Sequence, residues 1–386
     1  MRVLIVGAGI AGLAAAKGFL AAGHEVTVLE RAPALRETGC AIVLWSNGTT
    51  VLGDLGVRMD GAGRRIDAFE VRSAGGRRMV TMDTGRMAAR FGAPMVVIPR
   101  YVLIARLAEG LPEEIFRFGA RFTRLHDDGR GVRVETEDGT EYSGDLLVGA
   151  DGVNSPVSAA LFGPGSGTRG TAAPPTGVAT WQGLVPAPFD LGSRALLFLG
   201  RLGGFGMASA GDGLLQWLID FRPRPGDDLA SPDRALAALR ARYGGWASPI
   251  PELLAALTEK DVGFFPHHRH PAPLRWGRGR CTLIGDAAHA MPPMLAQGAG
   301  QALEDVGALL RALAGNADPA AALRAYAKSR GRQAALASAV AVRGIATSGP
   351  RALFQSEGLL RAAPPLPGRL ATWLVGNLIK GVSDRL

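Results

Sequence analysis

The chain has 386 residues, 47% hydrophobic and 20% charged, which describes a globular protein of two domains or one elaborated domain and excludes a disordered one. Its net charge is +9, but the basic residues are scattered, so no nucleic-acid partner is expected, and a surface that attracts an anionic cofactor or substrate accounts for the excess. Two cysteines, Cys40 and Cys281, build neither a disulfide framework nor a metal site and fit a reducing, cytoplasmic setting.

The chain opens as strand, turn, helix, strand. Val3–Val6 is a short apolar run, Ile10–Ala22 is rich in helix formers, Gly23 and His24 break the helix, and Val26–Leu29 is the next strand. This βαβ unit implies a parallel sheet. The apolar stretch 3–22 could pass for a signal peptide, but it lacks a cleavage site and its glycine spacing has a better explanation. Gly7-Ala8-Gly9-Ile10-Ala11-Gly12 is G-x-G-x-x-G between strand and helix. Gly7 permits the tight turn, Gly9 the approach of a pyrophosphate, and Gly12 close packing of helix on sheet. The helix N-terminus offers free N–H groups to the phosphates. Glu30 closes the second strand, where an acid grips a ribose, and favours a free hydroxyl over a 2′-phosphate. The motif alone leaves FAD and NAD(P) both open.

Residues 66–97 read as strands and loops, and Pro99–Leu111 as helix. Residues 132–149 alternate like strands around a turn at Asp138-Gly139. Leu146–Gly149 runs into Ala150-Asp151-Gly152, either an ordinary hairpin turn or a ligand-facing one. Strands follow at Gly177–Leu184, Ala195–Leu199 and Leu214–Phe221, then helices at Ser231–Arg242 and Pro251–Leu257. His267, His268 and His270 fall on a predicted loop, as a base or, the favoured reading, a solvated basic turn. Cys281–Gly285 is a buried strand leading into Asp286-Ala287-Ala288-His289, Met291-Pro292-Pro293 and Gln297-Gly298-Ala299-Gly300, where a helix begins. The remainder is Ala- and Leu-rich helix with breaks near 349–350 and 364–368. Leu370–Ile379 is read as a helix docked on the core in preference to a membrane-surface helix, and no apolar run is long enough to predict a membrane span.

Taken in order, these turns resemble the para-hydroxybenzoate hydroxylase-like flavin monooxygenases, nearest their salicylate-hydroxylase-like members. The likeness runs from Val3 to about Arg332. It includes an R-x-x-L-x-x-x-L helix at Arg100, Leu103 and Leu107, and a loop matching Gly39–Asn47, Leu52, Leu55 and Gly56. The resemblance implies an α/β fold: a discontinuous, Rossmann-like FAD domain (1–71, 98–173 and 270–320), an inserted β-rich substrate domain (72–97 and 174–269) and a C-terminal helical segment (321–386).

It also implies roles. Glu30 and Arg31 would flank the adenosine ribose, with Phe122 near the adenine. Arg100 would reach the ribose or pyrophosphate, Asp151 the pyrophosphate groove, and Asp286, after Gly285, the ribityl chain. The loop from Pro292 and Pro293 to Gly298, Ala299 and Gly300 would lie along the isoalloxazine, where a starting helix aims N–H donors at N1 and the C2 carbonyl oxygen. FAD would be non-covalent, with His289 structural.

The implied activity is hydroxylation of an aromatic or other electron-rich small molecule. NAD(P)H would reduce the FAD transiently, and dioxygen would react through a flavin C4a-hydroperoxide. The cofactor carries that chemistry, so no catalytic side chain is assigned. A flavin reductase or oxidase of the same fold, an NAD-dependent dehydrogenase and a non-catalytic FAD-binding protein are the alternatives. Trp45, Trp181, Gln182, Phe198, Met207, Trp217 and Pro293 are candidates to line the substrate pocket, with ordinary core packing the competing reading for each.

The pattern departs from the family in places. Ser158 stands where relatives usually carry Arg, and Gln182 where they often carry the Arg of a Trp/Tyr-Arg-Gly strand. Some phenol hydroxylases of the group use a His and a Tyr on the next strands to deprotonate the substrate; by approximate alignment Gly204 and Ala208 stand there, and none of Tyr101, Tyr142, Tyr243 and Tyr326 falls on those strands.

Overall fold

A computed structural model describes the chain except residues 164–173, 224–230, 271–275, 294–295 and 347–364, and the side chains of 342–346. The predicted break near 349–350 lies outside the described residues, as does part of the Pro292–Gly300 loop.

The opening βαβ unit forms as its pattern dictates. Arg2–Val6 pairs in parallel with Glu25–Glu30 on one side and Leu146–Gly149 on the other. Phe116–Phe118 extends the sheet beyond Glu25–Glu30, and Cys281–Leu283 extends it beyond Leu146–Gly149. A short antiparallel strand, Gly277–Arg278, closes that edge, giving six strands. Val3–Val6 and Leu146–Val148 are buried, as continuous apolar runs in a parallel sheet covered on both faces should be.

Helix Ile10–Ala21 lies on this sheet through Leu13, Ala14, Ala15, Ala16 and Phe19, all fully buried. Full burial of Leu13 and Phe19 contributes about 1.5–3 kcal/mol each. Gly18 lets helix Gly298–Ala314 pack close, since a Cβ there would stand 2.4 Å from Leu310 Cδ1.

A seven-stranded sheet forms the other large layer. Its order is Gly263–His268, Pro175–Pro186, Leu214–Phe221, Gly203–Gly211, Arg194–Gly200, Ala68–Ser73 and Arg78–Asp83. A three-stranded sheet, Ala41–Leu44, Met95–Pro99 and Arg64–Ile66, stands between the two layers. The hairpin around Asp138-Gly139 belongs to a further three-stranded sheet, in which Phe122–Asp127 pairs with Val132–Thr136.

Three elements differ from expectation. Residues 84–91 form a helix, capped by the Asp83 carboxylate accepting from the Arg86 N–H at 2.7 Å and ended at Gly92 with φ +75°. Gly203–Gly211, rich in glycine and short of β-branched residues, is a full strand held between two neighbours. The three histidines do not form a solvated turn: Gly263–His268 is an edge strand, and His267 and His270 are buried. Edge position explains why Pro266 is tolerated there.

The last helix, Gly368–Gly381, docks against Arg78–Asp83. It buries Ala371, Thr372, Gly376 and Ile379, and the Thr372 hydroxyl accepts from the Asp83 N–H at 3.0 Å. Among the described residues no helix is long and apolar enough to cross a membrane.

Candidate active site

Three strand ends meet at one edge of the parallel sheet. Gly7 turns with φ +103° and its N–H donates to Leu29 O. A Cβ on Gly7 would stand 2.5 Å from Ala150 O, and one on Gly12 would stand 1.9 Å from Gly7 O, so both positions admit only glycine. Gly9 caps the helix with nothing within 4 Å of where its Cβ would be, which leaves its backbone open to approach. Gly285, φ +60°, lies against Ala11 and Ala302. The turns after Val6, Gly149 and Leu283 are therefore neighbours.

Glu30 is fixed at the end of its strand. Its two carboxylate oxygens accept from the Ala8 N–H at 2.7 Å and the Ala32 N–H at 2.8 Å. Gly119 N–H donates to Ala32 O, which brings the start of the Phe122 strand alongside; the Phe122 side chain is buried in the core. Arg31 is exposed beside them.

Asp151 follows its strand into helix Pro156–Phe162 instead of closing a hairpin. Its carboxylate accepts from the Ser155 hydroxyl at 2.5 Å and the Val157 N–H at 3.0 Å. Burial pushes its carboxyl up to about 6 despite these bonds. Ser158 is buried on that helix, so no cation projects from the position where the family resemblance leads one to expect Arg.

Asp286 is exposed at the start of helix Asp286–His289, close enough to Arg100 to stabilise its charge. Burial and the neighbouring Arg36 nonetheless pull Arg100 down, and its Nε is buried with no hydrogen-bond partner. Asn47 Nδ2 donates to Gln297 Oε1 at 3.2 Å, leaving Asn47 Oδ1 and Gln297 Nε2 buried and unpartnered. Gly300 touches Asn47, and Gly298 has open space around it.

His289 turns away from this edge. Its Nε2 lies 2.5 Å from Asp305 Oδ2, which also accepts from the Gly285 N–H, while Arg330 Nε donates to Asp305 Oδ1 at 3.0 Å. Arg330 Nη2 donates to Gln301 Oε1 at 2.6 Å. Burial pushes Asp305 up, but His289 and Arg330 outweigh it and hold the carboxyl low. The network ties the Gly285 turn to the helices behind it. Asp305 and Arg330 escaped the sequence reading because charges on Ala-rich helices look like a solvated face.

The seven-stranded sheet requires a correction. Trp181, Phe198, Met207 and Trp217 share one face with Phe205 and Ile219, at 0–3% exposure, and pack under helices Pro232–Tyr243 and Ile250–Ala256. That face points away from the Gly298 loop, so these four side chains are core and line no pocket there. Residues of opposite parity face the parallel-sheet layer. Ala195, Ala208 and Ala210 pack on Ala41, Trp45, Met95 and Val97, and Trp45 also lies 6.4 Å from Phe69. Gln182, Leu197, Gly204, Leu218 and Asp220 lie on the same face and are only partly covered. Gln216 links the layers, accepting from the Ala41 N–H at 2.6 Å and donating to Gln182 Oε1 at 3.3 Å. His270 N–H donates to Ala290 O, joining the far edge of this sheet to the segment that leads to Pro293. Gln182 is thus the sheet residue among the expected lining that does face the cleft.

The unpartnered Arg100 Nε, Asn47 Oδ1 and Gln297 Nε2, with open backbone at Gly9 and Gly298, fit an extended, anionic, polar-edged group such as FAD. Comparison with known proteins agrees. Residues 1–340 match the FAD binding domain family. The aurachin C monooxygenase/isomerase of Stigmatella aurantiaca is 33% identical over 84% of this chain and 84% of its own length. The FAD-dependent urate hydroxylase of Klebsiella pneumoniae is 30% identical over 86% of each chain. The zeaxanthin epoxidase of Nicotiana plumbaginifolia is 35% identical over 79% of this chain, which spans about half, 47%, of that protein. Among solved structures, Klebsiella pneumoniae HpxO complexed with FAD and uric acid superposes with a TM-score of 0.89, at 26% identity, over 99% of this chain and 97% of that one. The chain belongs to the FAD-binding family of flavin-dependent monooxygenases.

Proposed function

We propose that this protein inserts one oxygen atom of O2 into an electron-rich ring compound, using NAD(P)H as the electron donor. The observation that carries the reading is the meeting of three strand-end turns beside a partly open sheet face. One side suits FAD, and the other suits a flat small molecule. FAD, when bound, accepts hydride from NAD(P)H and activates dioxygen.

The residues supply placement, charge and dryness. In this reading Gly7, Gly9 and Gly12 admit the pyrophosphate and the helix start at Ile10 faces it. Each Glu30 oxygen keeps a lone pair for a ribose hydroxyl. Arg31 and the Phe122 strand flank the adenosine, Asp151 shapes the groove at Gly7, and Asp286 holds the ribityl hydroxyls. Arg100 gives its buried Nε to a phosphate or ribose oxygen. The start of helix Gly298–Ala314, with Ala299 and Gly300, directs N–H groups to the anionic edge of the reduced ring, and Pro293 walls the reacting side against water. The substrate lies between that ring and Gln182, Leu197, Gly204 and Leu218. Two free cysteines accord with a cytoplasmic location.

The test is NAD(P)H consumption by FAD-loaded protein across a panel of phenols, indoles and quinolines. At least one compound should stimulate consumption and yield an oxygenated product in step with it. Peroxide released in step with every NAD(P)H consumed, whatever the ring compound, would identify an oxidase.

A further inference from the structure

The partly open face of the seven-stranded sheet carries an unusual charge pattern. Its five strands from Gly263–His268 to Arg194–Gly200 contain a single Arg or Lys, Arg194. Arg194 has the parity of the covered face and lies 3.9 Å from Glu70. On the face that meets the cleft, Gln182, Gln216, Leu197 and Leu218 accompany small residues, with one carboxylate, Asp220, beside Thr180 and His267.

Asp220 is held in place. The Thr180 hydroxyl lies 2.5 Å from Asp220 Oδ1 and 2.5 Å from His267 Nε2. A hydroxyl has one proton to give, and a carboxylate can only accept. Thr180 therefore donates to Asp220 and accepts from His267 Nε2–H. The imidazole Nε2 also lies 3.5 Å from Asp220 Oδ1. The Asp220 side chain remains 13% exposed, and no hydrogen bond among the described residues engages its Oδ2. Directly across the ladder stands Gly204, where a Cβ would meet Leu197, Leu199 and Phe198 O at ordinary contact distance, 3.4, 3.6 and 3.9 Å. Gly204 thus sets no side chain beside Asp220, and the strands on either side of it bring no Arg or Lys to this face. The cations closest along the chain to this face stand just past the strand ends: Arg222 two residues after Asp220, Arg201 after Gly200 and Arg269 after His268.

We infer that Asp220 is a specificity-determining residue that accepts a hydrogen bond from an N–H or O–H of the substrate in the space beside Gly204, so that the site takes an uncharged or cationic ring compound and rejects aromatic carboxylates. The inference rests on the monooxygenase reading for the place of the substrate. A carboxylate brought beside Asp220 meets a like charge, whereas an amide or hydroxyl gains a charge-assisted hydrogen bond. Thr180 and His267 are positioning residues that aim the carboxylate.

The experiment is equilibrium titration of FAD-loaded protein, followed by perturbation of the flavin absorbance, with matched pairs: salicylate and salicylamide, indole-3-carboxylate and indole-3-carboxamide, 2-naphthoate and 2-naphthamide. For every pair that binds, the amide should bind at least about tenfold tighter than the acid. Asp220→Leu should reduce that preference about tenfold while retaining FAD, and Asp220→Asn provides an isosteric check on folding. Gly204→Arg, which sets a cation beside Asp220, should shift preference toward the acids by a similar factor. Acids binding as tightly as amides to the unaltered protein, an unchanged preference in Asp220→Leu, or no binding of any amide would each overturn the inference. Loss of FAD binding in the unaltered protein would instead strike the underlying reading.

Discussion

The two faces of the seven-stranded sheet are made from the same strands and do opposite work. One is sealed: Trp181, Phe198, Phe205, Met207, Trp217 and Ile219 interdigitate under two helices at 0–3% exposure. The other is incompletely covered and polar in places, with Gln182, Leu218 and Asp220 turned to the cleft. Side chains alternate along a strand, so a shift of one residue exchanges the two sets completely. The bulk of an aromatic residue therefore says little about whether it meets a ligand, while its parity says nearly everything. The same contrast recurs on the nucleotide side. Asp305, Arg330 and His289 form a closed network behind the Gly285 turn, whereas Arg100, Asn47 and Gln297 leave polar atoms unpartnered at the cleft.

This contrast can be broken by substitution. On the sealed face, Trp217→Ala should cost about 3–5 kcal/mol of unfolding free energy in urea; a loss below about 1 kcal/mol would mean that the face is not core. In the closed network, Arg330→Met strands the Asp305 carboxylate in the interior and should cost about 3–5 kcal/mol. Chemical denaturation reads that loss, and FAD affinity should fall with it because the Gly285 turn loses its anchor. An Arg330→Met protein as stable as its parent would show the network to be dispensable.

Asp151 offers an intermediate case, with a carboxyl raised from 3.8 to about 6 by burial. The folded protein holds that proton more tightly than the unfolded chain. Its contribution to stability is therefore full below 3.8, falls as pH rises through the window to about 6, and is flat above. The total is about 3 kcal/mol. Asp151→Asn should remove that slope from a series of apo-protein melts between pH 4 and 7, and an identical slope in both proteins would contradict the assignment. The smallest effect belongs to the open face. Leu218→Ala should cost under about 1.5 kcal/mol in stability and change ligand binding more than folding; the reverse ranking, with Leu218 more costly than Trp217, would exchange the two faces.

The parts of this molecule legible in its sequence are those where backbone geometry admits one residue type. Gly7, Gly12 and Gly285 mark positive φ or contacts too close for a Cβ, and the turns that carry them, with Glu30 and Asp286, are recognisable from their order in the chain. The sheet opposite was harder to read. Its strands were recognisable at Gly177–Leu184 and Leu214–Phe221, but facing depends on register with neighbours, one of which, Gly203–Gly211, carries too much glycine to announce itself. The His267 strand was hidden for a related reason, since proline and clustered histidines imitate a turn. The Thr180–Asp220–His267 group is assembled from three strands far apart in the chain, so no local pattern could signal it.

The most direct test of oxygen transfer supplies the FAD-loaded protein with NAD(P)H, a ring compound that stimulates its consumption, and 18O2, and weighs the product by mass spectrometry. The account predicts a product carrying one heavy oxygen atom, formed in step with NAD(P)H oxidation. Product oxygen drawn from water, or labelled hydrogen peroxide with the ring compound recovered unchanged, would contradict it.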